Sequence, residues 1–167
     1  MLIPTGRGLV AGMSRPRHVL NLFMSPEQKY EPNASPWVRE QLETIDSTGD
    51  TRSVSVMDRP IVVIVMTGAK SGKPRRVPLM RVEHDGVYAA VASKGGDPKN
   101  PTWLNNLVAN PDVTLQDGTD TVELRGRLAT DDERSQWWDR CVEAYPPYAD
   151  YQTKTDRQIP VFLLEPR

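Results

Sequence analysis

The fold of this chain is decided around residues 61–79, which read IVVIVMTGAKSGKPRRVPL. Residues 61–66 form an unbroken apolar run rich in β-branched side chains, a pattern typical of a strand buried on both faces. The chain then enters a turn with two glycines, and Pro74 and Pro78 indicate that the segment beyond it is extended. The stretch therefore predicts a buried strand that ends in a glycine-rich turn.

This first basic turn, residues 68–76, carries four cations and no acidic residue. Glycines permit backbone conformations in which amide groups point at an anion, and the cations add positive charge. It is not a Walker A loop, because its prolines make the continuation extended rather than helical. A solvated turn with ordinary surface cations is the alternative. The glycines are Gly68 and Gly72, and the cations expected to bind an anionic ligand are Lys70, Lys73, Arg75 and Arg76.

A second basic turn, residues 93–96, reads SKGG and follows another apolar run. Asn100 and Pro101 then predict the start of a helix, whose amide dipole also favours an anion. Two such turns at the ends of neighbouring strands would lie on the same rim of the domain. Together they favour a phosphorylated or carboxylated cofactor.

Three helices are predicted. Ser35 and Pro36 supply an N-cap and a proline at the first helical position, and Thr130 forms a capping box with Glu133. The apolar residues that follow each start recur at helical spacing. The helices are expected at residues 35–49, 100–110 and 130–145.

Six strands complete an α+β domain, and most of them are expected to be antiparallel. Asp85-Gly86 and Asp117-Gly118 are tight-turn signals that predict two hairpins, and Pro160 indicates an edge position or a strand's first residue. Such a sheet can close into a small barrel. The strands are expected at residues 61–66, 77–83, 87–92, 113–116, 121–129 and 159–164.

The domain is placed at residues 35–167, after a poorly ordered N-terminal arm at residues 1–34 that shows no sustained periodicity. No segment approaches the roughly 20 apolar residues of a membrane span. We expect a cytoplasmic protein, and peripheral membrane contact through the arm stays open.

Composition and motifs argue against several classes of function. The 21 Lys and Arg residues nearly balance the 22 Asp and Glu residues, so the overall charge does not favour a nucleic acid partner. The single cysteine, Cys141, lies in a helical apolar stripe and suits a buried side chain in a reducing compartment. Neither a hydrolytic motif nor a metal-ligating cluster is present, so no metal site is expected.

Tyr145, Tyr148 and Tyr151 recur at a spacing of three. One face of a turn would present all three, and phenols suit a wall that stacks on a planar ligand and hydrogen-bonds its oxygen. Core packing is the alternative, and it suits Tyr145 better than Tyr148. In the absence of a protein nucleophile or metal, the chemistry is expected to belong to a bound redox cofactor.

Five motifs occur in a fixed order: GxKSG followed by PL, then ASKGG, KNPxW, NP and YPxYxxYQ. They begin at Gly68, Ala92, Lys99, Asn110 and Tyr145. In this order and spacing, the chain from Pro60 to Pro166 resembles the deazaflavin-dependent nitroreductase and quinone reductase family of actinobacteria.

The resemblance implies a split β-barrel related to that of flavin-mononucleotide-binding oxidases. It also implies the reduced form of coenzyme F-420, an 8-hydroxy-5-deazaflavin with a phospholactyl-oligoglutamate tail. Lys70, Ser71, Arg75 and Arg76 of the first basic turn would line the groove for the acidic tail and its phosphate, and Pro78 belongs to the same motif. The residues implied to approach the deazaflavin or to border its pocket are Ser93, Lys94, Gly95, Gly96, Asn100 and Trp103.

The resemblance further implies hydride transfer from carbon 5 of the deazaflavin to a small-molecule acceptor, which is a quinone, a nitroaromatic compound or an activated enone or lactone. Tyr148 would hydrogen-bond the acceptor's oxygen, and Tyr145 and Tyr151 would shape the wall. Two alternatives stay open. One is a flavin-mononucleotide-dependent oxidase of the pyridoxamine-phosphate type, and the other is a deazaflavin-binding protein without catalysis.

Overall fold

The computed structural model describes residues 29–167. Its helices are α1 (Pro36–Thr48), α2 (Trp103–Ala109), α3 (Asp131–Ala144) and α4 (Pro147–Thr153). Its strands are β1 (Ser55–Val56), β2 (Arg59–Thr67), β3 (Pro74–Met80), β4 (Glu83–His84), β5 (Val87–Val91), β6 (Asp112–Asp117), β7 (Asp120–Leu128) and β8 (Val161–Pro166). Short 3-10 helices lie at Thr51–Ser53 and Lys94–Gly96.

All eight strands belong to one antiparallel sheet in the order β1-β2-β6-β7-β8-β5-β4, and β3 also pairs with β2. Strands β3 and β5 approach each other without pairing through hydrogen bonds, so the half-barrel stays open between them. The predicted α+β split barrel is confirmed, with six longer strands and two strands of two residues each. Beyond the three predicted helices, the sequence also indicates a short turn or helix over residues 148–155, and the short helix α4 forms there.

Strand β2 is buried on both faces, as its continuous apolar run predicts. Val62 and Ile64 pack in one core cluster with side chains of β5, β6 and α2. Ile61 and Val63 point to the other face and pack in a second cluster, described next. The strand therefore forms the centre of the fold and delivers the chain into the first basic turn.

Helix α1 covers the outer face of β2. Ser35 is its N-cap, and the Ser35 hydroxyl accepts a hydrogen bond from the Val38 amide at 3.4 Å. The helix ends at Gly49, whose left-handed φ of 70° suits glycine. Leu42 and Ile45 of α1 pack against the Ile61 and Val63 side chains. Both predicted boundaries of the helix are confirmed.

Helix α3 packs against β5 and β8 on the face that points away from the core cluster of Val62 and Ile64. The predicted capping box of Thr130 and Glu133 is present, and Trp137 and Cys141 are buried against β5 and β8. Burial raises the pKa of the Cys141 thiol to about 12, so the thiol stays protonated at neutral pH. Cys141 is therefore the buried small side chain that the sequence predicts.

The single strand predicted over residues 77–83 is wrong. Strand β3 ends at Met80 and pairs with β2 along its whole length, and only the two-residue strand β4 forms the hairpin with β5. The tight turn itself is confirmed, because Asp85 and Gly86 have φ values of 51° and 80°. The turn signal is local, whereas the choice of strand partner depends on the buried face of β2.

The edge position suggested by Pro160 is also not found. Strand β8 lies between β5 and β7, and Pro160 directly precedes its first residue. The Pro160 carbonyl accepts a hydrogen bond from the Ala92 amide at 3.0 Å, so this proline completes the pairing without needing a donor.

Of the predicted N-terminal arm, residues 1–28 lie outside the described residues. Residues 29–34 lead into α1 and contact the first basic turn, through an isolated bridge between Glu31 and Arg75. Within residues 29–167, no helix has the length and apolar character needed to cross a membrane.

Candidate functional site

A cleft of about 410 Å³ opens between β3 and β5, where the half-barrel is not closed. Its walls come from one face of α1, the end of β3, the second basic turn, the start of α2 and helix α4. We call this space the tyrosine cleft. The predicted site residues that line it are Pro78, Ser93, Lys94, Gly95, Trp103, Tyr145, Tyr148 and Tyr151.

The three tyrosines form one side of the cleft. Pro147 is the first residue of α4, and the short helix brings Tyr148 and Tyr151 next to Tyr145. The ring centroids of Tyr145 and Tyr148 are 4.9 Å apart and those of Tyr148 and Tyr151 are 6.2 Å apart, both in edge-to-face arrangements. The sequence prediction that one face presents all three rings is confirmed.

The three phenols differ in their hydrogen bonding. The hydroxyl oxygens of Tyr145 and Tyr151 lie 3.4 Å apart, and their hydrogen bond, together with burial, raises the pKa of Tyr145 to about 12. Burial also raises the pKa of Tyr148, which is 4% exposed. Among residues 29–167 no hydrogen bond to the Tyr148 hydroxyl is formed, although Tyr148 lines the cleft. Tyr148 is therefore a buried, protonated phenol on a residue that lines the cleft.

The second basic turn has an unusual backbone. Lys94, Gly95 and Gly96 all have positive φ values, of 45°, 64° and 84°. Such a value is uncommon for a residue with a side chain, and such positions cluster at functional sites. A Cβ atom on Gly96 would lie 2.6 Å from the Tyr151 carbonyl oxygen, so only glycine lets this turn pack against α4. Gly96 does not line the cleft, but its close packing on Tyr151 holds the second basic turn against α4.

Arg157 holds the second basic turn, and sequence reasoning missed it. Its guanidinium donates hydrogen bonds to the carbonyl oxygens of Ala92 (3.1 Å), Ser93 (2.8 Å) and Asp97 (2.9 Å), and to the Asn100 side-chain oxygen (2.8 Å). These partners lie 57 to 65 positions earlier in the chain. A lone arginine in a polar loop carries no local signal of such a role.

Asn100 does not cap a helix, so that prediction is wrong. Helix α2 begins at Trp103, and its N-cap residue Thr102 makes no side-chain hydrogen bond. The Asn100 side chain instead accepts the hydrogen bond from Arg157 and does not line the cleft. The local pattern resembles a cap, but the Arg157 guanidinium competes for the side-chain oxygen of Asn100.

The first basic turn lies outside the cleft. None of Lys70, Ser71, Gly72, Arg75 and Arg76 lines the cleft. The Gly68 amide donates to the Lys73 carbonyl at 2.9 Å, and the Gly72 amide donates to the Gly68 carbonyl at 3.0 Å. These two glycine amides are used within the turn, so their expected orientation toward an anion is not found. A ligand at this turn would therefore bind its side chains and not the amides of Gly68 and Gly72.

Strand β3 runs from the first basic turn to the tyrosine cleft. Arg75 and Arg76 lie at its start, and Pro78 and Met80 border the tyrosine cleft at its end. Three residues of extended chain span about 10 Å, so a ligand with a long tail can reach from the cleft to the first basic turn. Within residues 29–167 no group of three or more metal-ligating side chains is found.

The chain is similar in sequence and fold to known proteins. The model of the family described as F-420H(2)-dependent quinone reductase matches residues 37–166. A curated F-420H(2)-dependent quinone reductase of Mycobacterium tuberculosis is 36% identical over 111 residues, covering 65% of this chain and 74% of the relative.

Two solved structures are more similar in sequence. One is an F-420-H(2) dependent reductase with 61% identity and a TM-score of 0.62, covering 67% of this chain and 99% of that chain. The other is described as a domain-swapped dimer, with 60% identity and a TM-score of 0.64, covering 78% of this chain and 100% of that chain. Because the family model spans most of its length, this chain belongs to the F-420H(2)-dependent quinone reductase family, an oxidoreductase family whose name specifies reduced coenzyme F-420 as its cofactor.

Proposed function

We propose that this protein transfers a hydride from reduced coenzyme F-420 to a quinone-type acceptor held in the tyrosine cleft. The observation that carries the proposal is the cleft itself, in which three tyrosines line the same space as the second basic turn. Its volume of about 410 Å³ falls within the range of small-molecule sites. When bound, the reduced deazaflavin supplies the hydride, and the protein supplies position and electrostatics.

The residues of the cleft fit a planar ring with an acidic linker. A Cβ atom added to Gly95 would meet no atom within 4 Å, so a ring or linker can approach the backbone there. Lys94 adds a half-exposed cation beside Gly95, and its contact with Asp97 is long, at 3.9 Å. Pro78 and Trp103 present flat apolar surfaces to the same space. We assign the ring and its linker to this part of the cleft.

Tyr148 is the proposed hydrogen-bond donor to the acceptor. A quinone oxygen gains negative charge as the hydride arrives, and a fixed donor in a site with little water stabilises that charge. The raised pKa of Tyr148 keeps its phenol protonated, and its hydroxyl has no competing hydrogen bond within residues 29–167. Tyr145 and Tyr151 hold each other through their hydroxyls and orient the Tyr148 ring by edge-to-face contact.

The acidic tail is assigned to the first basic turn. Lys70 and Arg75 lie there on side chains that reach solvent, and β3 leads from the cleft to them. Each exposed cation contributes little alone, on the order of 1 kcal/mol at most, but several can act together on a polyanion. Cofactor binding thus uses both basic turns, although only the second lines the cleft.

Nitroaromatic compounds and activated enones or lactones are proposed as further acceptors. Each is flat and carries an oxygen that gains charge on reduction, so the tyrosine wall offers each the same contacts.

Turnover with a panel of acceptors tests the proposal. Purified protein is incubated with reduced coenzyme F-420 and menadione, a nitroimidazole or a coumarin, and the reoxidation of the cofactor is followed. We expect turnover with menadione. Cofactor binding without turnover on any acceptor would instead support a binding protein, and a tightly bound flavin in the purified protein would support a flavin-dependent oxidase.

A further inference from the structure

The first basic turn already holds an anion, which comes from this chain. The Glu31 carboxylate lies between two of the predicted tail-binding side chains. One of its oxygens is 2.8 Å from an Arg75 guanidinium nitrogen, and the other accepts a hydrogen bond from the Ser71 hydroxyl at 2.9 Å. A hydroxyl and a guanidinium that converge on one carboxylate form a carboxylate site.

The backbone sets Glu31 in this place. The Glu31 amide donates to the Pro74 carbonyl at 2.8 Å, and Glu31 forms a parallel bridge with Arg75. The contact is nevertheless exchangeable, because the Glu31 side chain is 29% exposed and that of Arg75 is 41% exposed. Ion pairs this close to solvent contribute little net stability, so a competing anion can displace them.

The neighbouring cations are arranged differently. Arg76 makes two hydrogen bonds to the Asp46 carboxylate, at 2.6 and 3.0 Å, and its guanidinium stacks 4.5 Å from the Tyr30 ring centroid. Lys70 and Lys73 are exposed and form no ion pair among residues 29–167. Arg76 is therefore committed to the structure, and the exchangeable anion site is the one that Glu31 fills.

We propose that Glu31 is an internal competitor for the acidic tail of the cofactor, and that it sets how strongly the protein distinguishes a tailed deazaflavin from a tailless one. This inference rests on the proposed function. A tail carboxylate that reaches the turn along β3 would replace the Glu31 carboxylate at Ser71 and Arg75, with the same two partners. Glu31 therefore lowers the affinity for the tail while leaving contacts to the ring unchanged.

Calorimetric titrations test the inference. Coenzyme F-420 and the tailless 8-hydroxy-5-deazariboflavin are each titrated into the wild type and into Glu31→Gln. The variant should bind the tailed cofactor about threefold more tightly or better, because the competing charge is gone, while the Kd of the tailless compound stays unchanged. Glu43→Gln is the matched control, since it removes the same charge from the cavity that Glu31 also lines without contacting Ser71 or Arg75.

Other results overturn the inference. Weaker binding of the tailed cofactor by Glu31→Gln would show that Glu31 positions Arg75 instead of competing for it. If Glu31→Gln and the wild type bind the tailed cofactor with equal affinity, or if the variant binds both compounds more tightly by the same factor, Glu31 does not compete with the tail. A triglutamate peptide, titrated in parallel, separates this inference from the proposed function. If neither deazaflavin binds but the variant binds the peptide more tightly than the wild type, the proposed function fails and the carboxylate site stands. If the peptide shows no gain either, both fail.

Discussion

Tyr148 is the residue on which the proposed chemistry depends most. Of the three tyrosines it is the most buried, and its ring makes edge-to-face contacts with both of the others. Its neighbours make a hydrogen bond to each other, whereas its own hydroxyl makes none among residues 29–167. The three rings form one wall, and a single phenol is proposed to stabilise charge on the acceptor.

The variant Tyr148→Phe is expected to lower kcat with menadione about 10- to 100-fold and to leave the Kd of the cofactor nearly unchanged. The reason is the loss of one hydrogen bond to a group that becomes charged, worth about 1.5–3 kcal/mol. Steady-state kinetics and calorimetry measure the two quantities. Tyr88→Phe is the control, because Tyr88 donates to Asp117 outside the cleft. An unchanged kcat in Tyr148→Phe would remove this phenol from the reaction.

The charge of Lys70 is expected to affect the cofactor and not the acceptor. Lys70→Glu should raise the Kd of coenzyme F-420 several-fold and leave the KM of menadione within about twofold, since the acceptor lies in the cleft. High salt should also weaken cofactor binding by the wild type, because exposed charges are screened. Equal affinity of Lys70→Glu and the wild type for the cofactor would exclude this side chain from the tail site.

At the scale of single residues, the sequence predicts that the three tyrosines share one face, but it does not predict the contacts of Arg157 or the ion pair of Arg75. The spacing of Tyr145, Tyr148 and Tyr151 is a local pattern, and a short helix turns it into a shared face. Arg157 acts on carbonyl groups some 60 positions away, so neither spacing nor composition reveals it. The pairing of Arg75 with Glu31 is equally hidden, because it joins two segments that the fold alone brings together.

At the scale of elements, the second basic turn and α4 form one unit. Gly96 packs against the Tyr151 carbonyl, and Arg157 ties the turn to the segment that follows α4. Gln152 of α4 strengthens the connection, because its side chain donates to the Arg157 carbonyl at 2.7 Å and accepts from the Ile159 amide at 3.0 Å. The turn and the tyrosine wall therefore keep a constant relative position.

Arg157→Lys is expected to raise the Kd of the cofactor about tenfold, because an ammonium group has three donors and cannot match the guanidinium's planar set of four bonds. Arg157 bonds to backbone carbonyl groups in and beside the second basic turn, which is assigned to the cofactor, and not to the acceptor. The KM of the acceptor should therefore change less than the Kd of the cofactor. Calorimetry gives the Kd, and circular dichroism confirms that the variant is folded. Arg125→Lys serves as the control, because that side chain pairs with Asp112 at the surface. A Kd equal to that of the wild type would show that the turn keeps its shape without Arg157.

The elements that the sequence predicts best are those with local end signals. Ser35 and Gly49 bound α1 correctly, and the capping box of Thr130 and Glu133 starts α3. The prediction fails where pairing decides the outcome, as for β3, which belongs with β2 and not with β5. No local feature of the β3 sequence distinguishes these two partners.

At the scale of the whole molecule, the open side of the half-barrel places the site. Closing the sheet between β3 and β5 would fill the space that the tyrosine cleft occupies. The sequence predicts the α+β class and the six longer strands, and the family resemblance supplies the split barrel. The position of the opening depends on the pairing of β3 and was beyond prediction from local patterns.

The stability of the fold is expected to fall in alkaline solution. The pKa values of Cys141 and Tyr145 are raised to about 12, and burial raises that of Tyr148 as well. A raised pKa in the folded state means that the unfolded chain releases these protons first, so ionisation favours unfolding as pH rises above 9. One pKa unit corresponds to about 1.4 kcal/mol, and we expect a loss of at least about 2 kcal/mol between pH 8 and pH 11.

Urea denaturation at a series of pH values measures this loss. Cys141→Ala is the diagnostic variant, since it lacks the thiol and its free energy of unfolding should depend less steeply on pH between 9 and 11. A free energy of unfolding that stays constant from pH 8 to pH 11 in the wild type would show that these groups are not desolvated as the structure indicates.

The central claim is that two basic turns and a tyrosine wall hold a deazaflavin that performs the redox chemistry. Calorimetric titration of the protein with coenzyme F-420, in both redox states, tests it most directly. We predict saturable binding of one cofactor per chain, weakened by Lys70→Glu and by Arg157→Lys. The absence of saturable binding in both redox states would contradict the claim.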